Sequence, residues 1–158
     1  GLDTLLNRVP PQIKNQVLRL EKIIQDILTL STLDKAPQLN LTSLNLNQMA
    51  GEIEKQFFPV ANSKGVSLKF DLHDNLAPIQ GDEEALRRVL VNLVENALNY
   101  TAAPGEIIVQ TDQDKDTVTV EVRDTGIGIA SEDLPHIFDR FYRASQVRKT
   151  VTGGTGLG

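Results

Sequence analysis

Three asparagines recur along one predicted helix near the middle of the chain. Asn92, Asn96 and Asn99 are separated by four and three residues, so on a helix their amides form one polar stripe. A second stripe of the same segment is apolar and consists of Leu86, Leu90, Leu93 and Ala97. Because asparagine is a mediocre helix former, three aligned asparagines indicate either a solvated helix surface or a binding role.

A glycine-rich segment, Asp124-Thr125-Gly126-Ile127-Gly128, follows a predicted strand. The glycines allow another group to approach the backbone closely, although the segment alone also fits a tight turn. An ionised Asp124 accepts a hydrogen bond from an exocyclic amine such as that of adenine, but it cannot pair with the carbonyl of guanine. Asn96 offers Mg2+ a neutral oxygen ligand that does not repel phosphates. Asparagines and glycines together therefore indicate a nucleotide site.

The composition excludes several classes of protein. The length of 158 residues and 40% hydrophobic content suit one domain, or a small domain with an appended element. A net charge of -5 argues against nucleic acid as a partner. The absence of cysteine favours a reducing compartment, and no apolar run approaches the ~20 residues of a membrane span. We expect a soluble, cytoplasmic fragment without direct membrane contact, whose parent protein could be membrane-anchored.

The first 35 residues have the pattern of a helical hairpin. In residues 12–33, apolar side chains recur at gaps of four and three: Ile13, Val17, Leu20, Ile24 and Ile27. Pro10 and Pro11 suit a turn from a preceding helix that contains Leu2, Leu5 and Leu6. Such a hairpin packs against a second copy to form a four-helix bundle, or docks on its own domain. The break around Pro37 predicts domains at 1–35 and 36–158.

The second domain alternates predicted helices and strands. Asn45 is expected to cap a helix that ends near residue 63, and Asp82 to cap the asparagine-bearing helix. Ser131 starts a short helix toward Phe138. Strands are predicted at 39–44, 66–72, 78–81, 106–111 and 117–124, with a polar turn at 112–116.

The C-terminal segment combines cations and glycines. Arg140, Arg143, Arg148 and Lys149 precede Gly153-Gly154-Thr155-Gly156-Leu157-Gly158. This arrangement is typical of a basic lid whose backbone N–H groups bind phosphates, and it also fits a solvated loop with a flexible tail.

Four segments together resemble the ATP-site boxes of sensor histidine kinases of two-component systems. They are residues 92–101, 124–129, 135–143 and 154–158. The resemblance begins near Lys14, and the hairpin helix is similar to the second helix of the dimerisation and phosphotransfer domain. It implies an α+β fold, a Bergerat-type two-layer α/β sandwich with a mixed sheet.

The resemblance also implies the site residues. Asn96 should ligate Mg2+, Asn92 and Tyr100 should line the phosphate and sugar side, Asp124 should bind the adenine amine, and Arg143 should reach the phosphates. Many members carry lysine where this chain has Asn99, so the replacement is expected to weaken ATP binding or shift that contact to Arg143. The remaining residues of the implied ATP site are Gly126, Gly128, Ile129, Gly154, Thr155, Gly156 and Leu157.

The implied function is ATP binding and transfer of the γ-phosphoryl to a histidine of the dimerisation domain, for relay to a response-regulator aspartate. The phosphoacceptor histidine is absent, because neither His73 nor His136 lies in a helical hairpin. The chain stops before the elements that normally follow the last glycine box, so we expect a C-terminally truncated fragment. One alternative is an ATP-gated interaction module. Another is a hydrolytic relative, against which Asn92 argues, since related ATPases place a water-activating glutamate there.

Overall fold

The computed structural model describes residues 38–139 together with Pro10, Ile13, Gln16, Val17, Leu20, Ile24 and Tyr142. Residues 39–128 form one unit, and the other described residues belong to a second. No helix in this described part of the chain is long and apolar enough to cross a membrane.

Helix α1, Leu46–Ser63, begins where an asparagine supplies its cap. Asn45 Oδ1 accepts hydrogen bonds from the backbone N–H groups of Asn47 at 2.9 Å and Gln48 at 3.2 Å. These bonds satisfy N–H groups that have no partner within the helix. The chain leaves the helix through Gly65, whose φ of 69° is readily adopted by glycine. The predicted cap and helix end are confirmed.

Helix α2, Glu83–Tyr100, carries the three asparagines and begins after Asp82. Asp82 Oδ1 accepts from the Ala85 N–H at 3.0 Å, and Oδ2 accepts from the Asn40 N–H at 2.9 Å. The Ala85 bond first and the Asn40 bond second lower the pKa of Asp82, because both favour the ionised carboxylate. This predicted cap is also confirmed.

Five strands accompany the helices in residues 39–128. Two of them, β1 and β3, form a separate antiparallel pair. The other three form a mixed sheet in the order β2-β4-β5, with β4 parallel to β2 and antiparallel to β5. The strands are β1 (Thr42–Leu44), β2 (Val66–Leu72), β3 (Ile79–Gly81), β4 (Gly105–Gln113) and β5 (Val118–Asp124).

The core lies between the helices and one face of the mixed sheet. Along β2, Val66 and Leu68 are buried while Ser67 and Lys69 are exposed, as a strand with one covered face requires. The fully buried side chains include Ile53 of α1, Val94 of α2, and Ile107 and Val109 of β4. The predicted α+β two-layer sandwich is confirmed.

Helices α1 and α2 run side by side in the same direction. Near their starts, Arg87 of α2 forms an ion pair with Glu52 of α1. Near their ends, Lys64 Nζ donates to the Leu98 carbonyl at 2.9 Å. The Arg87 hydrogen bond, as the largest cause, lowers the pKa of Glu52, and the same bond raises the pKa of Arg87. Polar contacts therefore link the helices at both ends of α2.

The buried face of α2 differs from the predicted apolar stripe. Leu93 is 44% exposed, so its assignment to that stripe is wrong. The buried residues are Leu90, Val94, Ala97 and Leu98. A helix turns about 100° per residue, so a face centred on Val94 and Leu98 leaves Leu93 at its margin.

Two strand boundaries also differ from the prediction by more than one residue. Strand β1 begins at Thr42 instead of residue 39, and β4 extends through Gln113, which was assigned to the turn. The turn is tighter than predicted because the Asp114 N–H donates to the Thr117 carbonyl at 2.9 Å. The Gln113 side chain also accepts from the Ala77 N–H at 2.7 Å. These contacts keep the last residues of β4 in the ladder.

In the second unit, the helix predicted from Ser131 to Phe138 is only a 3-10 turn, Leu134–His136. Proline at position 135 lacks an N–H and suits such a short turn. Near the N-terminus, Ile13, Gln16, Val17, Leu20 and Ile24 are helical, as predicted. The preceding helix, the Pro11 turn, Ile27 and the predicted boundary at residue 36 lie outside the described residues.

Candidate nucleotide site

The polar face of α2 presents the predicted side chains. Asn96 and Asn99 are exposed, whereas Asn92 and Tyr100 are half-buried. Asn92, Asn96 and Tyr100 follow one another at intervals of four, so they lie along one side of the helix. The opposite side faces the core. The helix thus presents neutral amide groups, which both donate and accept hydrogen bonds, without an added negative charge.

A backbone contact brings Asp124 to the C-terminal end of this face. The Ile127 N–H donates to the Tyr100 carbonyl at 3.2 Å, so the turn after β5 is attached directly to the end of α2. Within the turn, Asp124 Oδ1 accepts from the Gly126 N–H at 2.8 Å. A carboxylate has several acceptor positions, so this bond orients Asp124 and leaves capacity for a ligand donor.

The backbone geometry of this turn explains why positions 126 and 128 are both glycine. A Cβ on Gly126 would come within 2.5 Å of the Tyr100 carbonyl oxygen and 2.7 Å of Asp124 Oδ1. Gly128 has a φ of 67° and open space around the position of its missing Cβ. Gly126 therefore permits the close approach to α2, while Gly128 permits a left-handed backbone.

Thr125 ties the turn to β4, a contact that the sequence patterns do not reveal. Its N–H donates to the Glu106 carbonyl at 3.0 Å, and its Oγ1 accepts from the Glu106 N–H at 2.9 Å. The only signal in the sequence is a hydroxyl residue between Asp124 and Gly126. Thr125 thus extends the β4–β5 pairing past the last residue of β5.

Lys64 is a second contact that the sequence did not reveal. Its ammonium donates to the Leu98 carbonyl and also lies 3.4 Å from Asn99 Oδ1. A cation is favourable at the C-terminal end of a helix, where carbonyl groups lack partners. Lys64 therefore places a positive charge beside the neutral Asn99.

The remaining predicted site residues are not brought to this face by the described structure. Ile129 is 51% exposed and belongs to the second unit. The other residues lie outside the described part of the chain: Arg143, Gly154, Thr155, Gly156 and Leu157, with Arg140, Arg148 and Lys149 of the predicted lid.

A cavity of about 310 Å³ lies near the N-terminal ends of the two helices. Its lining includes Asn45, Glu52, Glu83 and Arg87, and none of the predicted site residues.

Comparison with known proteins identifies the family to which the sequence around this face is similar. Residues 81–158 match the histidine kinase-, DNA gyrase B- and HSP90-like ATPases. This match includes all of α2, β4, β5 and the Asp124 turn. The sensor histidine kinase RppB of Synechocystis is 34% identical over 154 residues, which are 97% of this chain and 34% of RppB. The chain carries a sensor histidine kinase catalytic domain.

Other sensor histidine kinases are similar over nearly the whole chain. CpxA of Escherichia coli K12 is 34% identical over 147 residues, which are 93% of this chain and 32% of CpxA. YkoH of Bacillus subtilis 168 is 32% identical over 146 residues, which are 92% of this chain and 31% of YkoH. The chain thus spans about a third of the length of these curated relatives.

Solved histidine kinase structures share this fold. Full-length ShkA in complex with AMPPNP has a TM-score of 0.76 and 25% identity, covering 92% of this chain and 29% of ShkA. The ThkA catalytic domain has a TM-score of 0.67 and 28% identity, covering 76% of this chain and 75% of that domain. ThkA with the response regulator TrrA has a TM-score of 0.69 and 24% identity, covering 90% of this chain and 45% of that one.

The attachment of the turn to α2 can be tested with two glycine variants of this chain. Gly126→Ala should destabilise the protein by about 1–3 kcal/mol, because its methyl group would meet the Tyr100 backbone. Gly51→Ala should stabilise it by about 0.5–1 kcal/mol, because Gly51 lies inside α1 with open space around it. Urea denaturation measures both. Equal stability of Gly126→Ala and the wild type would contradict the close contact.

Proposed function

We propose that this chain is the ATP-binding catalytic portion of a two-component sensor histidine kinase. In the complete protein it transfers the ATP γ-phosphoryl group to a histidine of the dimerisation domain. The observation that carries the proposal is the attachment of the Asp124 turn to Tyr100, beside the amide face of α2. The family match of residues 81–158 supports it.

Asp124 would select the base. Its position in the turn is set by the Gly126 N–H, and an ionised carboxylate accepts a hydrogen bond from the amino group of adenine. Guanine presents a carbonyl at the corresponding position, which an acceptor-only group repels. The same group therefore favours adenine and excludes guanine. Gly128 and the neighbouring Ile129 would lie on the base side of the ligand.

The amides of α2 would hold the phosphates and a divalent cation. Asn96 would ligate Mg2+, and Asn92 and Tyr100 would contact the phosphate and sugar groups. The described residues contain no cluster of three or more His, Cys, Asp or Glu side chains suited to a metal. Mg2+ accepts nucleotide and water oxygens as most of its ligands, so a site with one amide ligand fits it, and the bound ion would neutralise phosphate charge.

Further phosphate contacts would come from the end of α2 and from the C-terminal segment of the chain. Asn99 lies beside the Lys64 ammonium, so the local charge at this neutral residue is positive. Arg143 and the segment that contains Gly154, Thr155, Gly156 and Leu157 would supply the lid.

The side chains favour transfer over hydrolysis. An amide at position 92 cannot accept a proton from water at neutral pH, so it cannot act as a general base. The remaining task of the site is to position the phosphoryl group in line with an acceptor.

His73 follows β2 and His136 lies in the 3-10 turn, so neither occupies a hairpin helix. The acceptor would therefore be a histidine outside this chain.

The N-terminal residues would supply a dimer interface, with domains at 1–35 and 36–158. Ile13, Val17, Leu20 and Ile24 are helical and between 37% and 58% exposed. Their spacing places them on one face of the helix, as in a bundle seam. Burial against a second copy would remove this apolar surface from water.

A response-regulator receiver domain is the proposed partner for the relay. ThkA, a histidine kinase of the same fold, has been solved in complex with a response regulator. The alternative function is an ATP-gated interaction module without transfer, with which the neutral residue Asn99 is consistent.

Nucleotide binding should depend on Asp124. Asp124→Ala should weaken binding of a non-hydrolysable ATP analogue roughly 10- to 100-fold, because it removes a charged hydrogen-bond acceptor. Calorimetric titration with Mg2+ measures the change. Asp71→Ala is the matched control, since it removes the same charge from an exposed residue of β2. Equal binding of a GTP analogue by the wild type would contradict the assignment of Asp124.

Phosphotransfer can be separated from binding with a supplied acceptor. Incubation with γ-labelled ATP, Mg2+ and the histidine-bearing hairpin of the parent protein should label the hairpin, and a hairpin with alanine at that histidine should stay unlabelled. ATP binding without transfer would support the gated module instead. Steady phosphate release in the absence of the hairpin would indicate a hydrolytic relative.

Dimer formation should depend on the exposed apolar residues. Replacing Leu20 and Ile24 together by glutamate should weaken the dimer at least about 10-fold, because two charges would enter an apolar interface. Sedimentation equilibrium measures the dissociation constant. Gln16→Glu, a change at an exposed polar position of the same helix, should leave it within about two-fold. A wild-type chain that stays monomeric at high concentration would contradict the proposed interface.

A further inference from the structure

The C-terminal half of α2 has no cation of its own. Residues 89–101 contain no lysine or arginine, and their one charged residue, Glu95, is acidic. The last turn of the helix likewise lacks a basic residue. The carbonyl groups at the C-terminal end of a helix carry a negative partial charge, which repels an anion. The phosphates of a nucleotide on the amide face would therefore lie beside an unfavourable charge.

Lys64 brings a positive charge to this end from the neighbouring helix. It is the C-cap residue of α1 and is exposed. Its ammonium donates to the Leu98 carbonyl at 2.9 Å and lies 3.4 Å from Asn99 Oδ1. Two contacts on α2 thus hold the charge at the end of that helix, although the residue that carries it belongs to α1.

The ammonium lies close to the proposed phosphate side. Asn99 follows Asn96 by three positions, and side chains at this spacing are about 5–6 Å apart on a helix. Asn96 is the proposed Mg2+ ligand, so phosphates bound to that ion would lie roughly 10 Å from the Lys64 ammonium, which is about one Debye length in physiological salt. The charge of Lys64 therefore acts on the phosphates without direct contact.

The neutral side chain of Asn99 is compatible with this charge. Its amide oxygen is an acceptor for the ammonium, whereas a lysine at position 99 would place a second cation at the same point. Two like charges so close together repel each other. Asn99 and Lys64 thus form a pair in which one residue supplies the charge and the other helps to hold it.

We propose that Lys64 is a specificity-determining residue of the ATP site, whose ammonium at the end of α2 favours the nucleotide with more phosphate charge. This inference rests on the proposed function. A charge that acts across several ångströms contributes more as the charge of the ligand increases and less as salt is added. A neutral hydrogen bond has neither property. Lys64 thereby favours ATP over ADP, whereas Asp124 selects the base.

The test compares two nucleotides by calorimetry with Mg2+ in low salt. Lys64→Gln keeps a polar side chain and removes the charge. It should bind ADP about 2- to 3-fold more weakly than the wild type does, and a non-hydrolysable ATP analogue about 4- to 10-fold more weakly, because the analogue carries more charge. Both differences should shrink at about 1 M NaCl, where the Debye length is about 3 Å. Lys64→Arg, which keeps the charge, should bind both nucleotides within about two-fold of the wild type.

Lys55→Gln is the matched control. It removes the same charge from an exposed residue of α1, about 14 Å along the helix from Lys64. The ratio of the two affinities should not change in this variant. Adding Asn99→Lys to Lys64→Gln returns an ammonium to the end of α2 and should restore the preference for the ATP analogue. Thermal unfolding without nucleotide checks that each variant is folded.

Two results would overturn the role of Lys64 alone. One is a loss of equal size for ADP and the ATP analogue in Lys64→Gln, which would assign Lys64 to the packing of α2 only. The other is unchanged affinity of that variant for both nucleotides in low salt. Failure of the wild-type chain to bind either adenine nucleotide would overturn the proposed function, and this inference with it.

Discussion

The arrangement of the site depends on one backbone contact, between the Ile127 N–H and the Tyr100 carbonyl. It joins the turn after β5 to the end of α2, although 27 positions of chain separate the two residues. The contact is feasible because Gly126 has no side chain to separate the turn from the helix. It adds to the packing of α2 on the sheet, in which Asp124 is the last residue of β5. A single steric condition thus lets the Asp124 turn contact the end of the helix that carries the amides.

Helix α2 can present those amides because its other contacts are made by different faces. Its buried face packs on the sheet through Leu90, Val94, Ala97 and Leu98. Its side toward α1 is held near the start by Arg87 and near the end by Lys64. The exposed ion pair of Arg87 contributes little to the free energy of unfolding. Together with the Lys64 hydrogen bond, it fixes the position of α2 relative to α1. Positioned side chains bind a ligand at a lower entropic cost than mobile ones.

The sequence predicted the elements better than the contacts between them. Both helix caps could be predicted because Asn45 and Asp82 act on N–H groups two or three residues away, which is a local property. The exposure of Leu93 could not, since helical periodicity gives a stripe and not the direction in which the sheet lies. The links of Thr125 to Glu106 and of Lys64 to Leu98 join residues 19 and 34 positions apart. No periodic pattern carries such information, so the roles of Thr125 and Lys64 could not be predicted from the sequence.

The two buried threonines show what a pattern of hydrogen bonds adds to a motif. Thr101 and Thr111 have the same side chain and nearly the same burial, and a count of residue types does not distinguish them. The bonds of Thr111 close a loop among α1, β2 and β4, which explains its burial by stability alone. The Thr101 hydroxyl has no hydrogen-bond partner among the described residues. The difference between the two threonines appears only after folding, because the partners of Thr111 lie on other elements, 64 and 38 positions away along the chain.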